Sequence, residues 1–160
     1  MTSTTRSRLG IVVVGAGFFV IFFRGRRERI MLFGEGWPAS PLVVAIVAAA
    51  CAIAGILFSV WAIRTLGRQW SFSARVVEGH QLVTHGPYAM VRNPIYASML
   101  LWLVAMALTF GTPQRLAIAL VLYVAGTLMR IRAEEELMQA TFGAQWEEYR
   151  RRVPALIPWF

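Results

Sequence analysis

The 160-residue chain has no lysine and no aspartate: its 16 basic residues are all arginine and its 8 acidic residues all glutamate. That is a bias of genome composition more than of chemistry. Charged residues make up only 15% of the chain against 58% hydrophobic, and mean hydropathy is +0.58. So little charge excludes an ordinary soluble domain and places the chain among membrane proteins. There is one cysteine, Cys51, inside an apolar run. It excludes an intramolecular disulfide and reads as a small apolar packing residue. Metal-ligand spacing is lacking too, because His80 and His85 stand in a loop with no cysteine near them. A net charge of +8 raises the question of nucleic acid. The arginines, however, gather at the ends of apolar segments, where guanidinium groups meet anionic headgroups, and the segments between them are too apolar for a soluble nucleic-acid binder.

The first apolar run lacks two further things. Arg6 and Arg8 precede it as they would a signal peptide, but "FFRGRRERIM" follows with no small-residue cleavage site. A retained membrane helix is the expectation. It also begins "IVVVGAGF", yet the third glycine of a dinucleotide-binding turn would fall on Val20, and no acidic residue follows within a βαβ unit. The run therefore reads as a transmembrane helix that packs through small residues.

What is present is an all-α pattern of four uncharged apolar segments in a single domain. The first is Leu9 to Phe23, 15 residues; the second has its apolar body from Pro41 to Ile63; the third lies between Arg92 and Arg115; the fourth is Leu116 to Met129, 14 residues. A helix needs about 20 residues to cross the hydrocarbon core. The second and third are long enough, while the first and fourth are short unless flanking arginines snorkel. Gly111, Thr112 and Pro113 join the third and fourth as a tight helical hairpin. The Leu82–Tyr96 loop and the stretch after Arg130 then meet at one face of the membrane. Grouped with the N-terminus, that face carries eleven arginines against five on the other. The positive-inside rule makes it cytoplasmic, with the cell inner membrane as the expected location. Arg24 to Arg29, with four arginines, runs against the rule beside the first helix. In the tail, Phe142, Trp146, Tyr149 and Val153 share one helical face. They predict an amphipathic interfacial helix with its aromatics at headgroup depth, ended by Pro154 and Pro158.

Candidate chemistry lies in the two polar stretches. Arg130 comes where the fourth segment runs out, near the membrane boundary, where an ionisable group is costly and points to function. Glu134 follows one turn later on the same face. An ordinary ion pair ending a helix at the headgroups has the same spacing, and Arg132 with Glu136 reads as one. In "LVTHGPYAMVRNPIY", Pro87 and Pro94 stiffen the loop, Tyr88 and Tyr96 add aromatic faces with hydroxyl tips, and Arg92 adds a positive fork. A rigid re-entry turn with interfacial tyrosine anchors would use the same residues.

"HQLVTHGPYAMVRNPIYASMLL", followed further on by "RIRAEEELMQATFGAQWEEYRRRVPALIP", resembles the isoprenylcysteine carboxyl methyltransferase family and, more loosely, the related phospholipid N-methyltransferases. The likeness covers roughly Leu66 to Pro158, so that residues 66–158 read as the core of a domain begun by N-terminal helices in 1–65. The resemblance implies an integral membrane methyltransferase that uses S-adenosylmethionine on a lipophilic or lipidated acceptor. By the family's pattern, His80, Gln81, Leu82 and Val83 line the cofactor site, with Tyr88 and the element Arg92, Asn93, Pro94, Ile95 and Tyr96. The family usually has histidine where Asn93 stands; asparagine can donate and accept a hydrogen bond but carries no charge. Glu134 is implied as a cofactor residue, Arg130 as facing the methyl acceptor, and Glu135 as the second glutamate of the family's pair.

These roles are chemically coherent. Glu134 can bind the cofactor's ammonium, Arg92 its carboxylate, and Arg130 an acceptor carboxylate by a bidentate pair. A carboxylate acceptor needs no general base, so positioning and desolvation can do most of the work. An amine acceptor must lose a proton, for which Glu135 is the obvious nearby group. Arg130 tilts the reading toward a carboxylate, and the resemblance implies carboxyl O-methylation, with phospholipid N-methylation next. Two other classes stay open: an NADPH-dependent membrane lipid reductase of the sterol type, whose C-terminal region is similar, and a non-catalytic membrane protein with a degenerate site. Nothing indicates an oligomeric state.

Overall fold

A computed structural model describes residues 3–23, 36–67 and 82–157. Among these residues five α-helices follow one another: α1 (Ser3–Phe22), α2 (Pro41–Leu66), α3 (Pro94–Phe110), α4 (Pro113–Phe142) and α5 (Ala144–Arg152), with a short 3-10 turn at Gly86–Ala89. No strand occurs among the described residues. Three helices, α1, α2 and α4, are long and apolar enough to cross a membrane.

The helix boundaries follow from local chemistry. Ser40 caps α2, accepting a hydrogen bond from the Val43 amide, and Thr112 caps α4 through the Arg115 amide. Each cap is followed by a proline at the first helical position, where its missing N–H costs nothing. These stops make the lengths differ from those expected of the bare apolar runs. α1 takes in Arg6 and Arg8 and reaches 20 residues, and α4 runs on through the charged stretch to 30. α3, expected to be long enough, has only 17 residues, because Pro94 opens it and Gly111, Thr112 and Pro113 close it. At 1.5 Å per residue, it is about 26 Å long, a little under the roughly 30 Å hydrocarbon thickness.

α3 and α4 form the hairpin anticipated from Gly111 to Pro113. α1 packs along α4, and α2 packs along α3. Both pairings are antiparallel. On α1, Gly10 lies against Gly126 and Arg130 of α4, and Gly17 lies against Ala119 and Tyr123. On α2, Gly55 lies against Ser98 and Trp102 of α3. The start of α1, the end of α2, the start of α3 and the end of α4 therefore lie at one end of the bundle, as the sequence predicted. Arg24 to Arg29 fall outside the described residues.

The main core lies between α1, α3 and α4, with Val14, Ile21, Leu103, Ala107, Ala119 and Tyr123 buried together. A smaller one joins Val44 and Ala48 of α2 to Leu108 of α3. The outward side chains, among them Leu42, Ile46, Leu57 and Val121, are large, apolar and exposed. That is the expected lipid-facing surface of a bundle whose helices associate through close packing rather than by hiding apolar surface from water.

Candidate active site

Two short segments build the polar end of the bundle. The first is the turn after α2. Gly86 adopts φ +60°, a conformation that favours glycine, and seats the turn against Thr65 and Trp61 of α2. The turn's amides of Tyr88, Met90 and Val91 are taken up locally by the carbonyls of His85 and Pro87. Pro87, Tyr88 and Val91 are buried, which fixes the direction in which the chain enters α3. The second segment is the chain after α4. Gly143, at φ +52°, breaks α4 from α5, and α5 folds back over the turn.

The two segments are tied together by backbone and side-chain hydrogen bonds. The Arg92 amide donates to the Pro154 carbonyl at 2.8 Å and the Asn93 amide to the Ala155 carbonyl at 3.1 Å. The Asn93 side-chain amide donates to the same Ala155 carbonyl at 2.9 Å, so it does not cap α3. The Tyr149 hydroxyl donates to the Tyr88 carbonyl at 2.7 Å. Burial pushes the Tyr149 phenol up to about 12, with Arg92 pulling the other way. Burial, then Tyr149 and the Glu134 carboxylate, push the Tyr88 phenol still higher.

Glu134 and Glu135, adjacent on α4, join different arginines. Arg130 donates from Nε to the Tyr96 hydroxyl at 2.6 Å and from Nη2 to Glu134 Oε1 at 3.1 Å. The Tyr96 hydroxyl in turn donates to Glu134 Oε1 at 2.5 Å. The Tyr123 hydroxyl, deeper in the bundle, holds the Tyr96 carbonyl at 2.6 Å. Arg130 lies 17 residues beyond Pro113, about 26 Å along the helix, which puts this cluster at the membrane boundary. Its side chains keep 14% (Arg130) and 26% (Glu134) of their surface accessible. Arg130 Nη1 and Glu134 Oε2 have no partner among the described residues.

Arg92 is spent differently. Its guanidinium donates to Glu135 Oε1 at 2.7 and 3.2 Å, to the Arg150 carbonyl at 2.9 Å and to the Val153 carbonyl. It lies 6.0 Å from the centre of the Trp146 ring. Arg92 and Glu135 thus clamp the tail to the turn, and Arg92 offers a ligand far less than its charge suggested.

Of the other expected site residues, Leu82 and Val83 are half-buried in the extended chain before the turn, Pro94 is buried, and Ile95 is half-buried on the first turn of α3. His80 and Gln81 lie outside the described residues. Trp146 and Tyr149 share one face of α5, as expected, and are buried against each other and the turn, with ring centres 5.5 Å apart. One expectation is corrected. Glu136 pairs with Arg6 of α1, not with Arg132. Pro158 lies outside the described residues.

Sequence reasoning missed Tyr123 and the tail carbonyls. A lone tyrosine within "LVLYVAG" was a usable signal; acceptors on the backbone leave none. A lipid-facing apolar depression of about 240 Å³ lies between α2 and α3, lined by Ala45, Ala49, Ala52, Met106 and Phe110. It sits at the far end of α3 from Tyr96 and has no chemistry of its own. No group of three His, Cys, Asp or Glu side chains is gathered among the described residues.

Comparison with known proteins gives a consistent picture. The family model for isoprenylcysteine carboxyl methyltransferases matches residues 46–140. The chain is 34% identical over 109 residues to protein-S-isoprenylcysteine O-methyltransferase B of Arabidopsis thaliana, which covers 66% of this chain and 55% of that protein. It is 38% identical over 80 residues to protein-S-isoprenylcysteine O-methyltransferase of Schizosaccharomyces pombe, covering 49% and 34%. It is also 31% identical over 164 aligned positions to the cobalt-zinc-cadmium resistance protein CzcN of Cupriavidus metallidurans, covering 96% and 65%. The chain spans about half the length of the Arabidopsis relative.

Proposed function

The chain belongs to the isoprenylcysteine carboxyl methyltransferase family, and from that membership we propose that it transfers a methyl group from S-adenosylmethionine to the carboxylate of a lipophilic acceptor. The acceptor class is a prenylated cysteine, the substrate named for its plant and yeast relatives. The observation that carries the reading is the Arg130–Tyr96–Glu134 cluster. It offers guanidinium donors and a carboxylate oxygen that have no partner among the described residues, at the end of the bundle where the apolar run of α4 stops.

The residues present fit the cofactor. Glu134 supplies an anionic acceptor for an ammonium group, Tyr96 supplies aromatic surface beside it, and Tyr88 would add a second ring by the family's pattern. His80 and Gln81 would complete this wall by the family's pattern. When bound, the sulfonium supplies an electrophilic methyl group. Arg130 holds the acceptor carboxylate through its free Nη1 edge and fixes one oxygen toward that methyl. Arg130 would hold the carboxylate oxygen in line for direct displacement, in which the O–CH₃ bond would form as the S–CH₃ bond breaks, the bonding pair staying with sulfur and no proton being transferred. The chemistry therefore needs no base. Glu135 Oε1 already accepts two hydrogen bonds from Arg92, which disfavours an amine acceptor that must first lose a proton.

The acceptor's hydrocarbon part would stay in the bilayer while its carboxylate reaches the cluster at the boundary. The arginine-rich end of the bundle supports a cytoplasm-facing site.

Calorimetry on the detergent-purified protein tests the cofactor half, with NADPH as control and Glu134→Ala beside it. Saturable S-adenosylmethionine binding that is lost in a folded Glu134→Ala protein is expected. Labelled methyl transfer to a small farnesylated cysteine tests the acceptor half. A folded protein that binds only NADPH would overturn the reading.

A further inference from the structure

The residues matched by the family model begin at 46, so α1 lies wholly outside them. Yet α1 touches the residue on which acceptor recognition rests. A Cβ built on Gly10 would stand 2.8 Å from Arg130 Cγ and 2.8 Å from the Gly126 carbonyl oxygen. Seen from α4, a Cβ on Gly126 would stand 2.8 Å from the Gly10 carbonyl oxygen and from the Val14 amide. The two backbones meet here, and the aliphatic stem of Arg130 runs over the bare face of Gly10. One turn toward the N-terminus, Arg6 pairs with Glu136. That pair is exposed and contributes little by itself, but it lies on the outer side of the same contact.

We propose that α1 forms a wall of the acceptor site and that Gly10 is a positioning residue: its lack of a side chain sets where the Arg130 guanidinium sits. The proposal rests on the reading of Arg130 as the acceptor's carboxylate clamp. With Gly10 bare, the Arg130 stem lies flat against α1, and its head reaches Tyr96 and Glu134 with Nη1 left over. A methyl group at position 10 displaces the stem, moves the head and mispositions the acceptor.

α1 supplies its own controls. Gly17 is also close against backbone, though less tightly than Gly10, with a Cβ 3.0 Å from the Ala119 carbonyl oxygen and 3.3 Å from the Tyr123 amide, and does not touch Arg130. Gly15 faces open space, with nothing within 4 Å. Gly17→Ala and Gly15→Ala therefore report on a close helix contact and an open position without the arginine, and the Arg130→Ala background isolates the part of the Gly10→Ala effect that acts through Arg130.

The experiment measures acceptor KM, kcat and S-adenosylmethionine Kd in these three full-length proteins, with Arg130→Ala and the Gly10→Ala/Arg130→Ala double variant. Expected are an acceptor KM raised about tenfold in Gly10→Ala, an effect of one methyl-sized misplacement, and a KM within about twofold of wild type in Gly17→Ala and Gly15→Ala. The cofactor Kd should change much less than the KM. The double variant should be no worse than Arg130→Ala alone, since a residue acting only through Arg130 has nothing left to act on. Equal KM values for Gly10→Ala and Gly17→Ala, or a further loss in the double variant, would overturn the proposal alone. An unchanged KM in Arg130→Ala would remove the reading of Arg130 and the proposal with it. If Gly10→Ala does not fold, Arg6→Gln frees the same end of α1 at an exposed site; an acceptor KM raised about threefold supports the proposal, and a wild-type KM overturns it.

Discussion

Two adjacent glutamates on α4 each pair with an arginine, and the two pairs differ in what is left over. Arg92 with Glu135 is nearly closed: four of the five guanidinium N–H groups go to one carboxylate oxygen and two tail carbonyls. Arg130 with Glu134 is more open: a tyrosine hydroxyl joins the pair, and three of the five guanidinium N–H groups have no partner among the described residues. A charge whose donors are mostly used holds structure, while a charge held in place with donors in reserve can hold a ligand. Identical residue types thus divide into a clamp and a candidate site.

The sharpest way to break that comparison is to remove each arginine. Arg130→Ala should lower acceptor kcat/KM about 100-fold or more, the roughly 3 kcal/mol expected for a desolvated ion pair with substrate, while a thermal melt shifts by only a few degrees. Arg92→Ala should do the reverse in kind. Stranding Glu135 and the tail carbonyls should cost about 3 kcal/mol of stability, and trypsin should then cut at Arg150 to Arg152 far faster than in wild type. If Arg92→Ala kept its melting temperature and lost only turnover, the division between clamp and site would be wrong.

Two smaller changes sharpen it. Tyr96→Phe removes the hydroxyl that links Arg130 to Glu134; a loss of about tenfold in kcat/KM is expected, near 1.4 kcal/mol, with little change in folding. Tyr149→Phe leaves the Tyr88 carbonyl unpaired and should cost about 1 kcal/mol of stability at neutral pH, with turnover barely altered. It also has a pH signature. The Tyr149 phenol is raised from 10.0 to about 12 by burial. Its contribution is therefore full below pH 10 and is lost as pH rises through 12. The alkaline fall in melting temperature should be shallower in Tyr149→Phe, and identical slopes in the two proteins would count against this assignment.

Much of the fold was legible because it is local. The hairpin at Gly111 to Pro113, the membrane character and the shared face of the polar stretches all follow from apolar runs and breaking residues. Helix ends were less legible: α4 continues through 130–142 because a membrane boundary ends an apolar run without ending a helix. The Arg130–Glu134 pairing could be read from its four-residue spacing alone. The Glu136 partner could not, because a same-helix arginine competed with Arg6 on another helix. The aromatic face of α5 was legible as a face, but its burial against the turn depends on how the chain doubles back at Gly143.

By itself the sequence determined an all-α membrane protein, its hairpin, and one ion pair set by helical periodicity, since 3.6 residues per turn put positions 130 and 134 on one face whatever the surroundings. Tertiary structure alone decided which glutamate stays available. Neighbouring side chains on a helix diverge by about 100°, so Glu134 and Glu135 face different elements. Only the folding of the turn and the tail onto α4 brings Arg92 to Glu135 across 43 residues of chain and leaves Glu134 with Arg130 and Tyr96.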